Sequence, residues 1–195
     1  MRNAEIHRKT GETDIRLLLE LDGKGNCRCD TGIGFLDHMI SAFSRHGFFD
    51  VALKADGDLA VDGHHTAEDT AIVLGNAIRQ ALGAKEGIAR YGHCILPMDE
   101  ALILSAADFS GRACLRYDLD IPSEKVGDFD TELTEEFFTA FTRSAGLTLH
   151  IRQLDGRNSH HIIEGTFKSV ARSLKAAVAL EKGFESDIPS TKGVL

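Results

Sequence analysis

Two adjacent histidine pairs, each followed by a glutamate at the same spacing, concentrate the metal-binding chemistry of this sequence. They are His64-His65-Thr66-Ala67-Glu68 and, 96 positions later, His160-His161-Ile162-Ile163-Glu164. Four of the nine histidines lie in these pairs. On a helix, consecutive side chains point about 100° apart, whereas residues three or four apart share a face. Glu68 therefore neighbours both His64 and His65, and Glu164 neighbours both His160 and His161. Two adjacent imidazoles do not easily converge on one ion, so each is expected to serve a different centre. Two metal sites follow, each fed by one histidine of each pair and completed by carboxylates. A single pair at a helix start more often does surface or capping chemistry, and a first-turn glutamate can simply complement the helix dipole. Recurrence in matching positions is what favours ligation. Imidazole and carboxylate without thiolate suit Mn, Fe or Zn with open positions, not a closed structural zinc site, which usually employs cysteine.

The pairs belong to a wider repeat. Ser41-Ala42-Phe43-Ser44-Arg45 returns as Thr139-Ala140-Phe141-Thr142-Arg143, and Glu12 through Gly23 matches Glu100 through Gly111 in pattern. Three echoes in one order imply duplication: a first half over 1–90, a second over 91–183, and a C-terminal tail over 184–195. The same register sets His38 opposite Glu136, so both are candidate ligands. In the first half, Asp14–Leu21 and Phe49–Leu53 read as strands. Helices are predicted near 35–46 and 65–83, the second striped by Ala71, Leu74, Ile78, Ala81 and Leu82. In the second, Ala101–Phe109, Arg112–Leu119 and Leu147–Ile151 read as strands, with helices near 132–145 and 161–181. This mixture predicts an α+β sandwich of two βαβ-type halves, helices packed on one face of a mixed sheet. No Pro- or Ser-rich linker parts the halves, so one rigid body is expected.

Composition bounds the partners. At 195 residues the chain can bury roughly 70% of its unfolded surface without a staple. Lys plus Arg number 22 against 30 for Asp plus Glu, a net charge of −8 that argues against nucleic acid. Cys27, Cys29, Cys94 and Cys114 form no C-x-x-C pair and read as reduced thiols. No apolar run approaches a membrane span and Met1–Glu5 shows no signal-peptide core, so a soluble cytoplasmic protein is expected. On these features alone, a dinuclear hydrolase of phosphoesters or amides, or a non-catalytic metal-binding shell, would serve as well as a lyase.

The segments GIGFLDHM (32–39), DGHHTAEDTAIVLG (62–75), MDEALILSAADFSGR (98–112), NSHHIIEGTFKSVARSLKAAV (158–178) and PSTKGVL (189–195) resemble the monofunctional imidazoleglycerol-phosphate dehydratases. The resemblance runs from about Arg8 to Leu195. It implies two halves of the ribosomal-protein-S5-domain-2-like kind, a 24-subunit homo-oligomer, and active sites between subunits with two Mn2+ each. The implied reaction dehydrates D-erythro-imidazoleglycerol phosphate to imidazoleacetol phosphate in histidine biosynthesis, through a metal-stabilised imidazolate or diazafulvene-like intermediate.

Carried over residue by residue, one ion is expected at His64, Glu68 and His160. The other is expected at His38, His65, His161 and Glu164, with the two sets coming from different subunits. The first site often has a further histidine in a VEHFF-like stretch; here it reads Thr134-Glu135-Glu136-Phe137-Phe138, and Glu136 takes that place. Ala42 stands where plant-like members carry a substrate-contacting Gln. The resemblance makes Glu164 the leading proton shuttle, Glu12 a partner near the opposite face of the substrate, and Asp99 a holder of a diol hydroxyl. Lys168, one helical turn beyond Glu164, is expected as a further catalytic residue that contacts the same region. Arg90, Arg112, Ser190 and Lys192 match phosphate-binding positions, with Arg suited to bidentate contact and Lys to a point charge. The tail is expected to order over bound substrate.

Overall fold

Alternation of apolar and polar residues makes the inner strands. Ile15, Leu17 and Leu19 bury on one face while Arg16 and Leu18 point out, and Val51, Leu53 and Ala55 repeat the pattern in the next inner strand. The computed structural model describes residues 2–193 and 195; Met1 and Val194, the latter within the last motif, lie outside the described residues. The first half runs β1 (Asn3–Lys9), β2 (Thr13–Glu20), β3 (Cys27–Asp30), α1 (Gly34–Gly47), β4 (Asp50–Gly57) and α2 (His64–Leu82). The second runs β5 (Tyr91–Met98), β6 (Ala101–Asp108), β7 (Cys114–Asp118), a hairpin β8 (Lys125–Val126) and β9 (Phe129–Asp130), α3 (Leu133–Ala145), β10 (Thr148–Asp155) and α4 (Ser159–Ala177).

The two main sheets are copies of one plan. Their orders are β1-β2-β4-β3 and β5-β6-β10-β7, each antiparallel except for the parallel pairs β3 with β4 and β7 with β10. The changing offset between copies has a structural cause. Cys27 pairs with Val51 as Leu115 pairs with Leu149, which places β3 and β7 88 residues apart but β4 and β10 98 apart. The extra residues form the β8–β9 hairpin between β7 and α3. A shorter β10–α4 link then brings the histidine pairs to 96.

The helices interleave the halves. α2 packs on β1 and β2, and α4 on β5 and β6, while α1 lies against α4 and α3 against α2. One continuous apolar core results, with Phe137 in ring contact with Phe138, Phe141 and Phe167, and Phe138 with Phe167. Gly75 permits the close approach of α2 and α3. A Cβ there would sit 2.7 Å from the Phe141 carbonyl oxygen and 2.9 Å from the Ala145 nitrogen. Gly75→Ala is therefore expected to destabilise the protein by about 1–3 kcal/mol despite alanine's better helix propensity, read as a lower denaturant midpoint. An unchanged midpoint would contradict this packing.

Three departures from the sequence reading have local causes. The last helix stops at Ala177 and does not run to 181, because Arg90 N donates to the Ala177 carbonyl and Ala89 N to the Ala179 carbonyl, while Leu180 bridges Ile88. The strand expected over Phe49–Leu53 begins at Asp50 and continues to Gly57, since Phe49 follows the left-handed cap residue Phe48. The sequence reading omits the edge strands β1, β3 and β5, because β1 fully buries only Ala4, β3 is four residues long, and β5 exposes Tyr91, Ile95 and Pro97 so that its hydropathy does not alternate.

Candidate metal centres and anion site

The α1–α4 contact brings His38 together with His160 and Glu164, their donor atoms all within 4.8 Å of one another. Glu164 Oε2 lies 3.1 Å from His160 Nε2 and 3.5 Å from His38 Nε2. Its other oxygen, Oε1, is 2.7 Å from Lys168 Nζ. Phe35 stands edge-on to the His160 ring at 5.1 Å and fixes its direction. Burial pushes the Glu164 carboxyl up, but the Lys168 bond and charge, with His38 and His160, outweigh it and hold the group below its ordinary value. A buried carboxylate between two imidazoles is a ready divalent-cation ligand.

The α2–α3 contact builds the duplicate. His64, Glu68 and Glu136 also place their donor atoms within 4.8 Å of one another. Glu136 is the repeat counterpart of His38, and His64 and Glu68 are those of His160 and Glu164. Each centre thus joins a helix of one half to a helix of the other.

The grouping within one chain differs from the ligand sets that the resemblance implies, which draw on different subunits. His160 sits with His38 and Glu164, not with His64 and Glu68, because its ring turns toward α1 and Phe35. Each single-chain centre contains one histidine from only one pair. The other two imidazoles of the pairs, His65 and His161, belong to neither triplet. His65 Nδ1 donates to Asp58 at 2.9 Å, with Glu12 Oε1 at 3.7 Å from its Nε2. His161 Nδ1 donates to Glu100 at 2.7 Å, with Asp99 Oδ2 at 3.6 Å from its Nε2. These contacts raise both imidazoles above their ordinary value and hold Glu100 down at about 2.

The phosphate-type residues gather elsewhere. Arg90, at φ 68°, is clamped by Asp108 through Nε at 2.7 Å and donates from Nη1 to the Pro189 carbonyl at 2.8 Å. Gly87 N holds the Asp187 carbonyl, so the tail folds back along residues 87–90. Ser190 Oγ accepts from Lys192 N, and Lys192 and Arg112 are exposed. Lys85 Nζ is buried close by, donating to the Phe109 carbonyl at 3.4 Å. Arg90 N meets α4 at Ala177, whereas His160 lies in the first turn of that helix. At 1.5 Å per residue the two ends are about 25 Å apart. A single chain does not bring the anion cluster to either triplet.

Sequence reasoning missed Asp58, Glu100 and Asp108. Glu100 was visible as the repeat counterpart of Glu12; Asp58 and Asp108 carried no signal of their own. Ala42 is buried in α1. All four cysteines are free. Among the described residues no helix is long and apolar enough to cross a membrane.

Comparison with known proteins identifies one family. The imidazoleglycerol-phosphate dehydratase family model matches residues 31–174. Curated relatives include the imidazoleglycerol-phosphate dehydratase of Synechococcus sp. (strain WH7803), 53% identical over all of this chain and 96% of its own. That of Desulforamulus reducens is 55% identical, over 100% of this chain and 98% of its own. Among solved structures, the dehydratase of Staphylococcus aureus superposes with a TM-score of 0.84 at 36% identity, covering 92% of this chain and 99% of its own. The Pyrococcus furiosus enzyme gives 0.83 at 35%, covering 97% and 100%. A duplicated α+β chain carrying two imidazole–carboxylate triplets, matched along its whole length by these enzymes, belongs to the imidazoleglycerol-phosphate dehydratase family, hydro-lyases of histidine biosynthesis.

Proposed function

We propose that this dehydratase works with two Mn2+ per active site, in sites assembled between chains of a cytoplasmic homo-oligomer. The family resemblance implies 24 chains. The observation that carries this reading is the separation of parts within one chain. The imidazole-to-phosphate span of the substrate is about 8 Å, far shorter than the roughly 25 Å between the histidine ends of the helices and the Arg90 end. One substrate molecule therefore needs the histidine ends of some chains and the anion cluster of another.

The donor sets fit manganese. His38, His160 and Glu164 would hold one ion, and His64, Glu68 and Glu136 the other. His65 and His161 are free at Nε2 to complete centres on neighbouring chains. Imidazole and carboxylate oxygens with positions left open suit Mn2+. When bound, two such ions supply Lewis acidity and a template for the imidazole ring.

The chain's own groups do the rest. Glu164 has both oxygens engaged, by the two imidazoles and by Lys168, so its work is ligation and Lys168 keeps it ionised. Glu12 has a half-exposed carboxylate 3.7 Å from His65 Nε2 and carries the proton taken from substrate carbon. This transfers the shuttle role from Glu164 to Glu12. Asp99, exposed at a left-handed turn residue, holds a hydroxyl of the diol. Loss of that proton and of hydroxide leaves an enol, which tautomerises to the ketone of imidazoleacetol phosphate. Arg112, Ser190 and Lys192 grip the phosphate, and Arg90, neutralised by Asp108, anchors the tail at Pro189.

Proton competition tests the ligand set. Asp58 and Glu100 raise His65 and His161 above the ordinary imidazole value of 6.5. Imidazolium cannot ligate, so Mn2+ affinity is expected to weaken as pH falls, beginning above pH 6.5. Titrating metal-free protein with Mn2+ from pH 8 to pH 5 by electron paramagnetic resonance checks this. Binding that stays constant down to pH 5 would contradict histidine ligation.

A further inference from the structure

We infer that Asp58 and Glu100 are a matched pair of positioning residues, each fixing the ring direction and tautomer of one unassembled histidine so that Nε2 points outward as a ready metal donor. This rests on the assignment of His65 and His161 as ligands that complete centres on neighbouring chains.

The contact chemistry is the same in both places. His65 Nδ1 lies 2.9 and 3.2 Å from the two carboxylate oxygens of Asp58. His161 Nδ1 lies 2.7 Å from Glu100 Oε2. An ionised carboxylate only accepts, so Nδ1 must carry the hydrogen, and the neutral ring then keeps its lone pair on Nε2. Both Nε2 atoms face an acidic side chain at a longer distance, Glu12 at 3.7 Å and Asp99 at 3.6 Å. Glu100 is itself held, since its Oε1 accepts from Asn158 N at 2.8 Å and Arg157 N at 3.3 Å.

The repeat register makes this more than incidental pairing. Asp58 lies in the β4–α2 link, and its counterpart in the second half is Gly156, which has no side chain. Glu100 lies in the β5–β6 turn, and its counterpart in the first half is Glu12. The same Nδ1 contact is therefore built twice, from non-equivalent positions, after the halves diverged. In the first half Asp58 takes the orienting task, which leaves Glu12 free beside Nε2. In the second half Glu100 keeps that task, and the neighbouring Asp99 faces Nε2. Asymmetry between two duplicated clusters thus separates one carboxylate for orientation from one for substrate on each side. A carboxylate behind a ligating imidazole restrains the ring and raises its donor strength.

The test uses full-length protein freed of metal and titrated with Mn2+ alone. Asp58→Ala and Glu100→Ala are each expected to weaken one class of Mn2+ site about 10–100-fold and leave the other unchanged. Asp58→Asn, whose amide oxygen still accepts from Nδ1, is expected to recover a large part of that loss; Glu100→Gln keeps one acceptor oxygen where the carboxylate uses one for His161 Nδ1 and the other for Asn158 N and Arg157 N, and is expected to recover less. His65→Ala and His161→Ala serve as references that remove the same ion class. If the histidine variants lose that class while all four carboxylate variants bind as wild type, the positioning role is overturned and the ligand assignment stands. If the histidine variants retain both ion classes at wild-type affinity, the ligand assignment fails and the positioning role fails with it.

Discussion

Glu12→Gln is expected to lower kcat by about 10²–10⁴-fold, the usual worth of a positioned proton carrier, while KM and bound Mn2+ change little. The substitution leaves the turn intact. Thr10 Oγ accepts from Glu12 N at 3.1 Å and Thr13 N at 3.0 Å, and Thr13 Oγ donates to the buried Asp69, which Arg8 pairs. None of these bonds uses the Glu12 side chain. The amide keeps the size of the side chain but not its ability to take a proton. Steady-state kinetics with product identified by mass spectrometry would check it, and a kcat within tenfold of wild type would return the proton to another group.

Glu164→Gln should have a comparable effect for a different reason. Glu164 faces His38 and His160 with one oxygen and Lys168 with the other, and is itself buried. Glutamine keeps the shape, removes an anionic ligand, and leaves the Lys168 ammonium without its counter-charge. We expect loss of one Mn2+ class by at least about 10²-fold in affinity, beyond the loss usual for an outer-shell partner, and turnover falling with it. Lys168→Met should weaken the same site less, because the carboxylate remains. Metal content after gel filtration separates the two outcomes. Retention of both ions by the Glu164 variant would contradict its place in the centre.

The sequence made some of this arrangement readable and left other parts hidden for physical reasons. The alternation of Ile15, Leu17 and Leu19 named an inner strand because one face of it is fully buried. β1 stayed hidden because it buries only Ala4 fully. The 98-residue register placed His38 opposite Glu136, and the structure sets both at the same position in duplicate triplets. Helical geometry separated His160 from His161, but it could not say which of them faces α1. That depends on Phe35 and on a helix from the other half, a contact that no local spacing encodes. The helical pattern beyond Ala177 was equally persuasive locally, yet residues 88–90 claim the backbone there. The distance between Arg90 and the histidine pairs is likewise a property of folded helices, absent from the order of residues.

Co-expression of two inactive variants tests the shared site most directly. Glu68→Gln disables the α2–α3 triplet of its own chain, and Glu164→Gln disables the α1–α4 triplet of its own chain. If each active site draws its two triplets from different chains, random mixing restores about a quarter of the sites to full composition, and activity returns in the mixed oligomer in that proportion. Mixed oligomers of confirmed composition that stay as inactive as either parent would mean that both triplets of a site belong to one chain.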